Sequence, residues 1–341
     1  MTEALFYPFP DAPGEFQSVK VAPGILWLRL PLPMALDHVN VYALDDGDGW
    51  TLVDSGMSSK RTKAIWQGLM AVTLGGKPVT RLIVTHHHPD HVGLAGWFQA
   101  QGVELLMPRT AWLYARMLTL DEQREHVPES LLFQTRAGID PDAINARARP
   151  FNFCDVVAPM PLGFTRLEEG QTLTAAGRRW RVHLGQGHAP DHATLWSLDD
   201  GVILGGDQFL ATITPNIGVY ATEPEADPLS EWLASCRHFL TLAAPDRVVL
   251  PGHKLPFTGL PARLDQIIAS HETALTRLEA HLALPATAAE CFVPLFRRTI
   301  GPAEFGLALA EALAHLNCLL SRGRVTRQLS GRGAWLWQAR P

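Results

Sequence analysis

Short apolar or alternating runs dominate the first 60 residues. "GILWLRLP", "VNVYALDD" and "WTLVDSG" have strand lengths and are bounded by turn residues, which predicts three strands. Residues 59–71 predict a helix with Ile65, Leu69 and Val72 on one side. "RLIVTHHH" predicts a strand that ends at its histidines. "VGLAGWFQA" reads as a helix and "VELLMP" as a further strand. Strand, helix and strand in this order predict mixed α/β layers.

The pattern breaks at about 110–160. "TAWLYARMLTL" and "PDAINARARP" predict helices joined by polar connections, an insertion suited to a lid or a substrate wall. Trp112, Tyr114 and Met117 of this insertion suit helix packing first and an apolar pocket second. Strands return at "QTLTA", "RRWRVHLG", "ATLWSL" and "GVILGGD", followed by a helix near 229–242 and a strand at "DRVVLPGH". The tail changes character again after residue 260. Leu264, Ile267, Ile268, His271, Leu275, Leu278 and Leu282 recur at helical spacing. A second helix fits 287–295, with Thr287 as its cap. A third fits 302–321, and "GRVTRQL" with "AWLWQA" closes a hairpin. Three helices then two strands is a winged-helix pattern. The expected organisation is 1–260 and 261–341.

Composition changes this picture little. With 47% hydrophobic and 18% charged residues, the chain can bury a sizeable core. A net charge of −5 disfavours a generally basic nucleic-acid binder. Cys154, Cys236, Cys291 and Cys318 lack CxxC spacing and fit buried free thiols in a reducing compartment. The N-terminal stretch lacks the basic flank and apolar run of a signal peptide, and no run approaches a membrane span of roughly 20 apolar residues. A cytoplasmic location is expected.

The chemistry concentrates in "VTHHHPDHVG", residues 84–93. Extended backbone alternates its side chains, so His86 and His88 point together and His87 points away. Pro89 suits the first turn of a helix, which would carry Asp90 and His91, while Gly93 leaves room for close packing. One loop therefore offers two histidines to one ion and an Asp–His pair to a second. Three later turns each follow an apolar strand: "GQGHAPDH" with His188, "LGGDQF" with Asp207 and "LPGHKLPF" with His253. Imidazole and carboxylate together suit borderline divalent ions.

"THHHPDH" is similar to the T-H-x-H-x-D-H signature of the metallo-β-lactamase fold superfamily, which includes glyoxalase II, lactonases and RNase Z-type nucleases. The later "GH", "GD" and "PGH" turns and the early "LVDSG" occur in its order, over roughly residues 20–260. The resemblance implies an α+β fold, a four-layer αβ/βα sandwich, here with a small C-terminal winged-helix-like extension. It implies that His86, His88 and His188 hold one metal, that Asp90, His91 and His253 hold a second, and that Asp207 and a hydroxide bridge them. Asp54 would orient a ligand imidazole. His192 is expected to pack or hydrogen-bond rather than ligate. Tyr220 suits a buried, structurally bonded hydroxyl first and a contact with a substrate oxygen second. The ions would be zinc, with iron or manganese as alternatives.

The expected function is hydrolysis of a thioester, ester or lactone, with Asp90 and Asp207 taking part in the chemistry. Asp207 and the missing export signal set the chain apart from antibiotic-degrading relatives. A phosphodiesterase or nuclease is the second reading, weighed on nine arginines against six acids in residues 261–341. A winged-helix DNA-binding or metal-sensing regulator is the third. The expected partner is a small acyl substrate, without nucleic acid or membrane, for a monomer or homodimer.

Overall fold

The computed structural model describes residues 5–145 and 150–341. Its first sheet takes its strands in sequence order: β1 (Val19–Ala22), β2 (Ile25–Pro31), β3 (His38–Asp45), β4 (Trp50–Val53), β5 (Val79–Ile83), β6 (Glu104–Pro108) and β7 (Thr165–Leu167). β1 to β4 form an antiparallel meander, and β4 to β7 run parallel. Parallel neighbours need crossovers. These carry α1 (Lys60–Gly68), then α2 (Pro89–Val92) and α3 (Ala95–Gln99), then α4 (Arg109–Leu120), α5 (Pro128–Arg136) and α6 (Pro141–Asn145). The second sheet contains β8 (Thr172–Ala175), β9 (Arg178–Gly185), β10 (His192–Ser197), β11 (Val202–Gly206) and β12 (Val248–Pro251). Its one parallel pair, β11 with β12, is joined through α7 (Pro228–Leu240).

Three apolar clusters define the layers. Trp27, Leu44, Trp180 and Leu195 meet between the two sheets. Ile65, Trp66 and Phe98 cover the outer face of the first sheet over Leu28, Leu52 and Leu82. Trp232 and Phe239 of α7 cover the second over Trp196 and Ile203. This is the expected αβ/βα sandwich. β3 is buried along nearly its whole length because sheet and helices cover both its faces.

The tail contains α8 (Leu260–His281), α9 (Phe292–Phe296), α10 (Phe305–Ser321) and the antiparallel hairpin of β13 (Val325–Leu329) and β14 (Trp335–Ala339). Its core is continuous with the outer layer of the second sheet: Leu264, Leu275, Leu316 and Trp337 join the α7 cluster. Pro302–Ser321 is long and apolar enough to cross a membrane, contrary to the sequence expectation, but 61% of its 18-residue apolar window is buried within the fold.

Local departures have local causes. α1 is capped by Ser59, which accepts the Thr62 N–H at 3.0 Å. After Gly68 the chain continues as a wider π turn, Leu69–Thr73. That turn rotates Val72 out to 80% exposure, away from the buried Ile65 and Leu69. "VGLAGWFQA" is not one helix. A Cβ on Gly93 would lie 2.3 Å from Pro89 O and 2.5 Å from Gly56 O, so the chain passes tightly there and divides into α2 and α3. Thr287 does not act as a cap; its N–H and hydroxyl both donate to Glu290, and α9 begins only at Phe292. The helix expected over 141–150 is present as Pro141–Asn145, and residues 146–149 lie outside the described residues. Cys154 is half-buried on a 3-10 turn, unlike the other three cysteines.

Because one core joins tail and sheet, Leu316→Ala should destabilise the whole chain in a single transition, by about 2–5 kcal/mol. Urea unfolding followed by fluorescence and circular dichroism checks this; separate transitions for tail and sandwich would contradict it.

Candidate metal centre

Both sheets deliver polar side chains at strand ends along one edge of the sandwich. Asp54 follows β4 in a left-handed conformation, φ 63°, which aspartate tolerates better than most residues. Its carboxylate is buried. Oδ1 accepts the Thr85 N–H at 2.8 Å, and Oδ2 accepts the His91 Nδ1–H at 2.8 Å and the Thr85 hydroxyl at 2.9 Å. The Thr85 oxygen in turn accepts the His86 Nδ1–H at 3.0 Å. One carboxylate thus orients the rings of two histidines, directly for His91 and through Thr85 for His86. It leaves both Nε2 atoms facing the centre.

The other histidines are held by backbone. His188 Nδ1–H donates to Asn216 O, and His253 Nδ1–H donates to His38 O, each at 2.8 Å. The turn carrying His253 is clamped by β3: Asn40 Nδ2 donates to Pro251 O and Lys254 O, and the Tyr42 hydroxyl donates to Pro251 O. A Cβ on Gly252 would lie 2.2 Å from Asp207 Oδ1, so this turn closes on the site only with glycine.

The resulting geometry gathers every expected ligand. His86 Nε2 lies 2.9 Å from His88 Nδ1, which lies 3.1 Å from His188 Nε2. Asp90 Oδ2 lies 3.5 Å from His91 Nε2 and 3.3 Å from His253 Nε2. Asp207 stands between these triads. Its Oδ2 is 3.2 Å from His253 Nε2 and 3.6 Å from His188 Nε2, and its Oδ1 is 3.5 Å from His91 Nε2.

The remaining candidates separate. His87 lies outside the triads, its ring 5.4 Å from Tyr114 and stacked near Phe153. His192 accepts the Asp207 N–H at 3.0 Å and so holds the backbone of that turn. Trp112 is buried and stacks on Phe164; Met117 is exposed. Tyr220 is half exposed as a residue, and its hydroxyl lies 3.5 Å from Asn216 Oδ1. Sequence reading missed Thr85, Asn216, His38 and Asn40. Thr85 stood inside the histidine motif; Asn216 and His38 act through carbonyl oxygens that leave no side-chain signature, and Asn40 through side-chain bonds to a turn far away in sequence.

Charge is sorted across the centre. Burial alone would depress His91, but Asp90, Asp207 and Asp54 outweigh it and hold His91 well above the ordinary imidazole value. Burial also opposes protonation of His253, yet Asp207 and Asp90 raise it to about 10. Burial pushes Asp90 and Asp207 upward, and the His91 and His253 imidazoles more than reverse this, leaving both lowered. His86 and His88 are driven well below the ordinary value by burial and neighbouring imidazoles. Burial also lowers His87 and His192, each to about 3.

These residues fit divalent cations. His91 Nε2 and Asp207 Oδ1 are buried without a hydrogen-bond partner. In the first triad, at least two of the three facing nitrogens present lone pairs, which repel without a cation between them. Ligands bonded at about 2.0–2.1 Å in a tetrahedron lie roughly 3.3 Å apart, close to the spacings seen here. Five imidazoles and two carboxylates, without thiolate, form the donor set.

The comparisons agree with this geometry. Residues 34–253 match the family model described as metallo-beta-lactamase superfamily, and residues 275–340 match metallo-beta-lactamase-like, C-terminal domain. The chain is 25% identical over 314 residues to a Bacillus subtilis protein named "Probable metallo-hydrolase YqjP", covering 90% of this chain and 95% of that one. A crystal structure of a beta-lactamase domain protein from Burkholderia ambifaria is 36% identical, with 99% of each chain covered and a TM-score of 0.90. A metallo-beta-lactamase family protein from Thermus thermophilus, TTHA1429, is 29% identical, with 94% of this chain and 100% of that one covered and a TM-score of 0.79.

Cation uptake must displace the protons that the carboxylates hold on His91 and His253, so uptake should strengthen as pH rises. Calorimetry in buffers of different ionisation enthalpy should read about one to two protons released near pH 7; no release would contradict the charge pattern. Asp54→Asn should weaken zinc binding about 10–100-fold while leaving circular dichroism unchanged. Unchanged affinity in a chelator competition would remove the role given to Asp54.

Proposed function

The chain belongs to the metallo-β-lactamase superfamily and is a metallo-hydrolase with a histidine–aspartate metal-binding cluster, and from that premise we propose that it hydrolyses a thioester, ester or lactone using two divalent cations, zinc in the first instance. The observation that carries the two-ion reading is the placement of Asp207. Its two oxygens lie within 3.6 Å of histidines from both triads, which suits a carboxylate shared by two cations.

A pair of divalent ions supplies Lewis acidity toward the substrate carbonyl and lowers the pKa of water from about 15.7 toward about 7. The protein's part is positional. Asp54, Thr85, Asn216 and His38 aim four imidazoles inward and fix their tautomers. Asp90, held ionised and half-buried, is placed to take a proton from the attacking water. Water adds to the acyl carbon, the bond to sulfur or oxygen breaks, and that proton goes to the leaving group.

One feature favours an acyl substrate over a phosphodiester. Three arginines of the tail that could track a phosphate backbone are engaged. Arg322 pairs with Glu272, Arg324 with Glu279, and Arg327 with Glu225 while lying over Trp335 and Trp337. The same pairing weighs against the DNA-binding regulator.

Metal-reconstituted protein should hydrolyse members of a panel of acyl thioesters, esters and lactones. Asp207→Ala should lower kcat/KM about a thousandfold, the equivalent of several kcal/mol of lost charge stabilisation. Turnover confined to phosphodiesters, or retained in the variant, would overturn the proposal.

A further inference from the structure

α10 runs beside the segment that follows Asp207. Asn216 Nδ2 donates to Leu307 O and to Glu311 Oε2, both at 3.1 Å. Val219 N–H donates to Ala310 O at 3.1 Å. Asn317 Nδ2 donates to Pro224 O at 3.0 Å and to Ala226 O at 2.9 Å, and the Ser321 hydroxyl donates to Asp227. The tail therefore fastens residues 216–227 along most of one helix.

One end of that seam reaches the metal centre. Asn216 gives its side chain to α10 and its backbone carbonyl to His188 Nδ1–H. A carbonyl that fixes a ligand imidazole acts only as well as it is itself held. The buried Ile217 and Val219 anchor the backbone on one side of it, and the bonds of the Asn216 side chain fix the other. The Tyr220 hydroxyl lies 3.5 Å from Asn216 Oδ1, at the limit of a hydrogen bond, and Tyr220 is half exposed. Glu311 is half-buried, and Asn216 is the group that offsets the cost of its burial. The two side chains therefore depend on each other.

We propose that Asn216 and Glu311 are positioning residues, through which the C-terminal unit fixes the ring of His188 and tunes the affinity of the cation held with His86 and His88. The inference rests on the reading of those three histidines as a cation site. It gives the tail a part in the centre without any tail residue touching a ligand. Glu311 acts through Asn216, and Asn216 acts through its carbonyl.

The test is zinc titration of the full chain against a competing chelator, with the melting temperature of the metal-free protein measured in parallel. His188→Ala identifies which of the bound ions belongs to the first triad. Glu311→Leu and Asn216→Ala should weaken that same ion about 3–10-fold, less than the loss expected when a direct partner of a ligand is removed. The other ion should bind as before. Glu311→Gln keeps an acceptor oxygen for Asn216 and should bind like the wild type. A ring N–H resonance of His188 that is slow to exchange in the wild type should exchange faster in the two weakened variants. Wild-type affinity for both ions in Glu311→Leu and Asn216→Ala would overturn the inference while leaving the metal site intact. Equal weakening of both ions together with a lower metal-free melting temperature would reduce the contact to packing and overturn it as well. Failure of the wild type to bind zinc would overturn the cation site itself, and the inference with it.

Discussion

Asp54 sits in a pocket closed to solvent, surrounded by the Thr85 N–H and hydroxyl and the His91 ring N–H. A carboxylate tolerates such burial only when donors replace its water. Those donors are also the supports of the site. Satisfying Asp54 sets the ring of His91, sets Thr85, and through Thr85 sets the ring of His86. The left-handed backbone at Asp54 places its carboxylate across from the end of β5, where the histidine motif begins. The local strain and the buried charge are thus compensated by the contacts that give the centre its geometry.

The two sheets make those contacts possible. Each ends on the same edge, so turns distant in sequence converge there without a long loop. Side chains presented by rigid strand ends keep their aim better than side chains on free loops. The close passages at Gly93 and Gly252 let the turns approach one another to backbone distance. The charge pattern follows from this crowding. Carboxylates and imidazoles that cannot reach water balance one another, and the carboxylates hold His91 and His253 above the ordinary imidazole value.

Much of this was legible in the sequence where the signal was local. "THHHPDH" holds four candidate ligands in one short run, and alternation alone separates His87 from His86 and His88. His188, Asp207 and His253 each follow an apolar strand and a glycine, so their placement at a sheet edge could be read. The layered fold followed from the strand and helix order. What could not be read was carried by backbone. His38 and Asn216 act through carbonyl oxygens, which every residue has. β1 and β7 are too short to show a period, and the π turn after Gly68 changes which side Val72 faces without any residue that announces it. The seam between α10 and residues 216–227 joins positions about 90 apart in sequence, where no local pattern reports contact.

The C-terminal unit then has a definite place in the molecule. Its core merges with the helical layer over the second sheet, and Arg322, Arg324 and Arg327 pair with neighbouring acids. Both facts make it part of the catalytic body rather than a free arm. The proposed chemistry depends on two cations held by one set of seven side chains. Anomalous scattering at the zinc edge from crystals of zinc-loaded protein tests that claim most directly. Two peaks are expected, one among His86, His88 and His188 and one among Asp90, His91 and His253, with Asp207 between them. A single peak, or none within reach of these residues, would contradict it.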